Sequence, residues 1–158
     1  MLSQFRRLTV SVDGRFANDD ELQFIDNYLQ SYSLRVRIYQ KMQASEQKIV
    51  QQVYEKLRSL DSNLLKSDKQ DLTAKWKRDT MRVLRYSAVT VLTDDQTTLQ
   101  ERLLLWFQTI MRAFGAQRSC EMTYLVMQQV MQQHFTAEEY SYIAPVLELN
   151  RTALGSAA

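Results

Sequence analysis

The fold is decided by the stretch Leu72-Thr-Ala-Lys-Trp-Lys-Arg-Asp-Thr-Met-Arg-Val-Leu-Arg-Tyr86. In a helix, five of its residues share one face because they follow at steps of four, three, four and three: Leu72, Trp76, Asp79, Val83 and Tyr86. This face is apolar except at Asp79. A carboxylate on an apolar face is costly unless it finds a hydrogen-bond donor. Asp79 is therefore the first candidate for a functional residue.

Five cations surround Asp79 on the same predicted helix: Lys75, Lys77, Arg78, Arg82 and Arg85. Lys75 lies four residues before the carboxylate and Arg82 three residues after it, which are the spacings of ion pairs on a helix surface. The residues alone therefore favour a surface ion pair for Asp79 and a solvated face for the cations.

The composition predicts a single helical domain that covers residues 1–158. The chain has three Gly and one Pro, and 45% of its residues are hydrophobic, so long helices with short connections are expected. A net charge of +2 without a Lys/Arg-rich run argues against nucleic acid as a partner. No apolar run approaches the roughly 20 residues of a membrane span. We expect a cytoplasmic protein without a secretory signal.

Further helices are predicted on both sides of the central stretch. Capping boxes, in which a polar N-cap residue is followed by Glu three residues later, occur at three places: 18–21, 98–101 and 136–139. Single caps are predicted at three others: Ser45, Ser119 and 67–70. The central helix is predicted from about Asp68 to Leu92. Gly115 is predicted to end a helix, and Pro145 to kink or divide the last one.

The predicted core lies on four helix faces: Leu22, Ile25, Leu29 and Tyr32; Ile49, Val50, Val53, Tyr54 and Leu57; Leu99, Leu103, Trp106, Phe107, Ile110 and Phe114; and Met122, Leu125, Val126 and Val130. Residues 3–12 fit either a helix or a strand, residues 61–69 a loop, and residues 152–158 a frayed tail. Seven or eight helices without a sustained heptad repeat suit a globin-like packing better than a four-helix bundle.

Three short motifs resemble those of a known family: Lys77-Arg78-Asp79, Leu84-Arg85-Tyr86 and Leu92-Thr-Asp-Asp95. Their spacings match the Cys-x-Arg-Asp, Leu-Arg-Tyr and Ala-Gly-Asp blocks of phycobiliproteins, which are subunits of cyanobacterial and red-algal light-harvesting antennae. The similarity runs from about Asn18 to Leu149. The resemblance implies an all-α, globin-like phycobiliprotein fold with two extra N-terminal helices, the first in a projecting segment of residues 1–17.

Trp76 stands where the family carries its bilin-attaching cysteine, so the chain resembles a divergent member that cannot form the thioether bond. The indole either fills the pocket or stacks on a ligand that is held without a covalent bond. Cys120 is the single cysteine, which excludes an internal disulfide and a cysteine-based zinc cluster. It is predicted to be a small buried residue, away from the motif, and not a second attachment site.

The resemblance also implies a set of cofactor-binding residues. Asp79 would accept hydrogen bonds from the pyrrole N–H groups of an open-chain tetrapyrrole, and Arg78 would contact its propionates. Trp76, Arg85 and Tyr86 complete the predicted set.

His134 is the only histidine, and it could ligate a haem iron as histidines do in globins. A histidine at a helix end, however, more often has a structural role. No set of residues resembles a catalytic or metal-binding motif, so an enzyme is not expected.

Two functions stay open. In the first, the protein is a phycobiliprotein-like accessory protein of the photosynthetic apparatus and holds a tetrapyrrole, bilin or haem, without a covalent bond. In the second, it is an interaction or assembly factor for phycobilisome or photosystem proteins and has no ligand. In both, it would form homo- or hetero-oligomers through its N-terminal helices, in the cytoplasm or peripherally at the thylakoid surface.

Overall fold

The computed structural model describes residues 1–67 and 70–155, and most of these residues are helical. The helical elements of this part of the chain follow in the order α1 (Leu2–Ser11), α2 (Asp19–Leu60), α3 (Thr73–Thr93), α4 (Gln96–Leu99), a π-helical turn (Gln100–Leu104), α5 (Leu105–Ala113), α6 (Gln117–His134) and α7 (Ala137–Gly155). The prediction of an all-α fold is confirmed.

A two-residue antiparallel ladder precedes α3. Its strands are β1 (Lys66–Ser67) and β2 (Gln70–Asp71), and Lys66 lies opposite Asp71. The predicted loop at 61–69 therefore contains a short strand. The predicted start of the central helix near Asp68 and the cap at 67–70 involve residues 68 and 69, which lie outside the described residues. The helix α3 begins at Thr73, whose N–H donates to the Asp71 carboxylate at 2.8 Å.

The helix α2 is continuous over 42 residues, so the predicted break near Ser45 is wrong. Its start is the predicted capping box, in which the Asn18 side chain accepts from the Glu21 N–H at 2.9 Å. The chain does not break because one buried face continues past Ser45: Ile38, Met42, Ile49, Val53 and Leu57. Burial of this face outweighs the weak capping tendency of one serine.

The first turns of α2 are less buried than predicted. Arg35 is the first buried residue in the helix, while Leu29 is 63% exposed and Tyr32 is also exposed. Residues 3–12, which fit a helix or a strand, form α1, and none of its residues is buried. Phe5 of α1 packs edge-on against Phe24 of α2, with ring centres 5.1 Å apart.

Because of the π-helical turn, the buried face of α5 differs from the predicted one. It takes one extra residue per turn, which rotates α5 relative to the residues before it. Trp106 and Phe114 are therefore 40% and 70% exposed, although both were predicted in the core. Leu104 and Met111 are buried in their place. A similar correction applies to Leu125 of α6, which is exposed.

The remaining predicted helix ends agree with the structure in part. Gly115 has φ +63° and follows the end of α5, and Thr136 and Glu139 form the predicted capping box of α7. Pro145 lies inside α7 and does not divide it. Ser119 lies within α6 and is not its cap, because its hydroxyl donates to the Ala116 carbonyl.

The predicted capping box at 98–101 is wrong, because Asp95 caps α4 instead. Its carboxylate accepts from the Thr98 N–H at 3.1 Å, and the helix begins at Gln96. The two most extensive helix pairs are α2 with α3 and α6 with α7. The N-terminal half of α3 and the start of α6 face each other across a cavity.

Candidate functional site

A cavity of about 640 Å³ lies among four residues that precede α3 (Leu64, Leu65, Asp71 and Leu72), the N-terminal half of α3, the end of α5 and the start of α6. Its size is within the roughly 300–1,000 Å³ of small-molecule pockets. Apolar and aromatic side chains make most of the wall, including Leu72, Phe107, Met111 and Phe114. Polar groups come from α3, α6 and Asp71 of β2. The cavity is therefore suited to a largely apolar ligand that carries a few polar atoms.

Asp79 lines this cavity and lacks a strong partner. Its side chain is 26% exposed, and the nearest cation is the Nε of Arg78 at 3.7 Å. Within the described residues, no hydrogen bond reaches the carboxylate. The neighbouring Arg78 is itself 75% exposed, so this ion pair is weak. The carboxylate is available to a donor that enters the cavity.

The predicted surface ion pair of Asp79 with Lys75 or Arg82 is not formed. The amine of Lys75 lies 4.3 Å from the centre of the Phe114 ring. The guanidinium of Arg82 lies 5.3 Å from the centre of the Trp106 ring. Both cations thus cover exposed aromatic rings and leave Asp79 to the cavity.

Trp76 also lines the cavity, one helical turn before Asp79. Its indole N–H donates to the Thr123 hydroxyl oxygen on α6 at 2.9 Å, and its ring packs at a tilt against Tyr54 of α2. The indole therefore forms a wall, and the space of about 640 Å³ remains open beside it.

Cys120 lines the same cavity, which corrects the prediction that it lies away from the motif. Burial, and next the charge of Asp79, raise the pKa of its thiol to about 12. Tyr124, one turn later, also lines the cavity, and burial with the nearby Cys120 and Asp79 raises its pKa well above the usual value. Both groups are protonated at neutral pH.

The spacing of residues in the sequence gives one indication of the side of the cavity that α6 forms. Cys120, Thr123 and Tyr124 are spaced three and four residues apart, so a helix puts them on one face. Their position opposite Asp79 depends on the turn at Gly115, where the positive φ redirects the chain from α5 into α6. A contact between two helices of this kind cannot be predicted from the spacing of residues within one helix.

The structure places the other predicted site residues elsewhere. Arg78 points to solvent at the rim. Arg85 does not line the cavity, because it donates to the Glu46 carboxylate at 2.6 and 2.9 Å beside a separate groove between α2 and α3. Tyr86 packs against the core and is not part of the cavity wall. Their predicted contacts with a cofactor stay predictions.

His134 lies at the end of α6, outside the cavity wall. Its Nε2 is 2.6 Å from the side-chain oxygen of Gln52. Burial, with the charges of Lys48 and Lys41, lowers the pKa of its imidazole. The ring is therefore neutral at pH 7.

Over 1–67 and 70–155, no group of His, Cys, Asp and Glu side chains is arranged to hold a metal ion. In the same ranges, no helix combines the length and the apolar character needed to cross a membrane.

Comparison with known proteins gives one family match. The description of this family is "Phycobilisome protein", and the match covers residues 8–154. The matched range contains α2 to α6 and most of α7, and thus the whole wall of the cavity. A search of curated proteins found no match to this chain.

Proposed function

The chain belongs to the phycobilisome protein family and has its all-α, globin-like fold, and we propose that it is an accessory member that holds a bilin without a covalent bond. The family gives it a phycobiliprotein-like role in light harvesting. The observation that carries the proposal is the open cavity beside Asp79, a carboxylate that no hydrogen bond satisfies within the described residues.

The chemistry of the cavity fits an open-chain tetrapyrrole. Its pyrrole N–H groups would donate to the Asp79 carboxylate, and such charge-assisted bonds are among the strongest hydrogen bonds in proteins. The conjugated rings would lie against the apolar wall that includes Phe107 and Met111. The propionates would meet Lys75, an exposed cation of the cavity wall, and Arg78, the exposed neighbour of Asp79.

A covalent bond between the bilin and the protein is disfavoured both at position 76, where the family carries its attachment cysteine, and at Cys120. Trp76 has no thiol. Cys120 lies in the cavity, but at a pKa of about 12 only about one thiol in 10⁵ is ionised at pH 7, and the thiolate is the nucleophile. The bilin would therefore be held without a covalent bond.

A bilin fits better than haem. A haem needs an axial ligand to its iron, and His134 does not line the cavity. Cys120 and Tyr124 are protonated at neutral pH and would first have to lose their protons. Asp79, by contrast, matches the N–H groups of a metal-free tetrapyrrole. We expect no enzymatic activity.

Titration with biliverdin tests the proposal. Purified protein should give a shifted visible absorption band that travels with it on gel filtration and is fully extracted by acidified acetone. Asp79→Asn keeps an acceptor but loses the charge, so it should weaken binding by about 1 kcal/mol, the difference between a hydrogen bond to a charged group and one to a neutral group. Asp26→Asn, an exposed carboxylate of α2, is the matched control and should bind normally. Equal affinities of Asp79→Asn and wild type would remove the basis of the proposal.

A second function rests on a different observation. The N-terminal region exposes large apolar side chains, with Phe16 97% and Val10 75% exposed. Such side chains at one end of a molecule favour contact with another protein. An assembly factor for phycobilisome or photosystem proteins, located at the thylakoid surface and without a ligand, would use this region. Copurification of these proteins with a chain that binds no biliverdin would favour it.

A further inference from the structure

We propose that Thr123 is a positioning residue of the cavity, which acts by holding the indole of Trp76 as a fixed wall beside Asp79. The inference rests on the proposed function, because a positioned wall matters only where a ligand enters. Trp76 lies on α3 and Thr123 on α6, so the indole crosses the space between the two helices.

A chain of two hydrogen bonds orients the indole. The Trp76 N–H donates to the Thr123 hydroxyl oxygen at 2.9 Å, and the hydroxyl donates to the Ser119 carbonyl at 2.6 Å. A hydroxyl has a single hydrogen, so its donation to Ser119 leaves the oxygen as an acceptor for the indole. Thr123 is 2% exposed, so water competes poorly for this oxygen. The bond therefore selects one orientation of the ring.

The opposite side of the indole is held by α2. The ring centres of Tyr54 and Trp76 are 6.0 Å apart and inclined by 42°. The Tyr54 ring also carries the amine of Lys77 at 4.7 Å from its centre, and this amine donates to Gln51 at 2.9 Å. Trp76 is thus fixed from two helices besides its own.

The fixed indole has polar neighbours one helical turn away on both α3 and α6. Asp79 follows Trp76 by one turn of α3, and Cys120 precedes Thr123 by one turn of α6. The carboxylate and the thiol therefore form the next level of the cavity beside the indole. A planar ligand that points its N–H groups at Asp79 must lie against this wall. The fixed indole would supply the orientation that a covalent bond supplies elsewhere, and would favour flat ligands over bulky ones.

The experiment compares Thr123→Val, which keeps the shape but removes the acceptor, with Thr123→Ser, which keeps the acceptor. The indole N–H is observed by nuclear magnetic resonance of protein with ¹⁵N-labelled tryptophan, and Trp106→Phe assigns the two signals. Hydrogen exchange of the Trp76 signal reports the bond without any ligand. Biliverdin titrations of each protein report the effect on the cavity.

The Trp76 signal of wild type and Thr123→Ser should exchange slowly, and that of Thr123→Val should exchange fast. Thr123→Val should bind biliverdin about two- to tenfold more weakly, because the freed indole has to be ordered again when the ligand binds, and Thr123→Ser should bind as wild type does. Unchanged binding by Thr123→Val, or rapid exchange in wild type, would overturn the inference while the proposed function stands. Failure of every variant and of wild type to bind biliverdin would overturn both.

Discussion

Asp95 accepts two hydrogen bonds from Ser3, a residue 92 positions earlier in the chain. The Ser3 N–H and hydroxyl donate to the two carboxylate oxygens at 2.7 and 2.8 Å. The same carboxylate accepts from the Thr98 N–H and caps α4. One buried side chain therefore fastens α1 to the corner between α3 and α4.

Asp95→Ala should lower the free energy of unfolding by about 1–3 kcal/mol, because it removes a helix cap and leaves the Ser3 amide without its acceptor. Urea unfolding at pH 7 measures this change. Ser3→Ala keeps the cap of α4 and should cost less. A loss from Ser3→Ala as large as that from Asp95→Ala would contradict the capping role.

The contribution of Asp95 should also depend on pH. Burial tends to raise the pKa of its carboxyl, but hydrogen bonds from Ser3 and Thr98 outweigh burial, and the pKa lies below the usual 3.8. A lowered carboxyl pKa stabilises the fold above the unfolded value, and this stabilisation is lost as the pH falls through the folded value. The difference in free energy of unfolding between wild type and Asp95→Ala, measured at pH 7, should therefore shrink as the pH falls below 3.8. A difference that stays the same over this range would contradict the expectation.

Removal of residues 1–17 should leave the fold intact and change the association of the protein. No residue of α1 is buried, so the truncated chain should keep its helical signal and still unfold in a cooperative transition. It should also form smaller species on sizing. Phe16→Ser in the full chain keeps the Ser3–Asp95 contact and should give the same shift in size. A truncated chain that unfolds would show that the segment belongs to the core.

Cys120 should react slowly with iodoacetamide. With its pKa raised from 9.0 to about 12, the rate at pH 8 should be about two to three orders of magnitude below that of a free thiol. Asp79→Asn should speed the reaction, because it removes the negative charge that opposes ionisation. Glu121→Gln is the control, since this exposed neighbour pairs with Arg151. Mass spectrometry over a range of pH measures the rates, and equal rates in Asp79→Asn and wild type would refute the coupling.

Trp76→Cys tests whether the indole is what prevents attachment of a bilin. Wild type made together with bilin synthesis and a bilin lyase should give no zinc-enhanced fluorescence on a denaturing gel. Trp76→Cys should give a band, because the new thiol would lie at the wall of an open cavity. The same change combined with Cys120→Ser assigns the band to position 76. Fluorescence from wild type would point to Cys120 instead.

Local signals in the sequence predicted much of the helical architecture. The capping boxes at Asn18 and Thr136 were correct because a cap involves residues three positions apart. The apolar stripe from Ile49 to Leu57 was correct because its period matches a helix that is buried on one side. Trp76 and Asp79 were predicted on one face of α3, and both line the cavity.

The rest depended on contacts between distant parts of the chain. The π-helical turn moves Trp106 and Phe114 to the surface, and the sequence of α5 alone shows a regular stripe that includes both. Cys120 reaches the cavity because α6 turns back at Gly115. Arg85 was predicted to bind a cofactor, yet its guanidinium pairs with Glu46, 39 residues away. The consequence of each feature for the site depends on how separate helices pack, which a short stretch of sequence does not show.

The helix α2 is long and continuous, and it spans a large distance within the molecule. At 1.5 Å per residue, its 42 residues extend for about 63 Å, without a Gly or Pro at which the helix could hinge. Its first turns carry the exposed Leu29, and Tyr54 near its far end touches Trp76 at the cavity wall. One continuous helix therefore connects the exposed surface around Leu29 to the side chain that supports the indole.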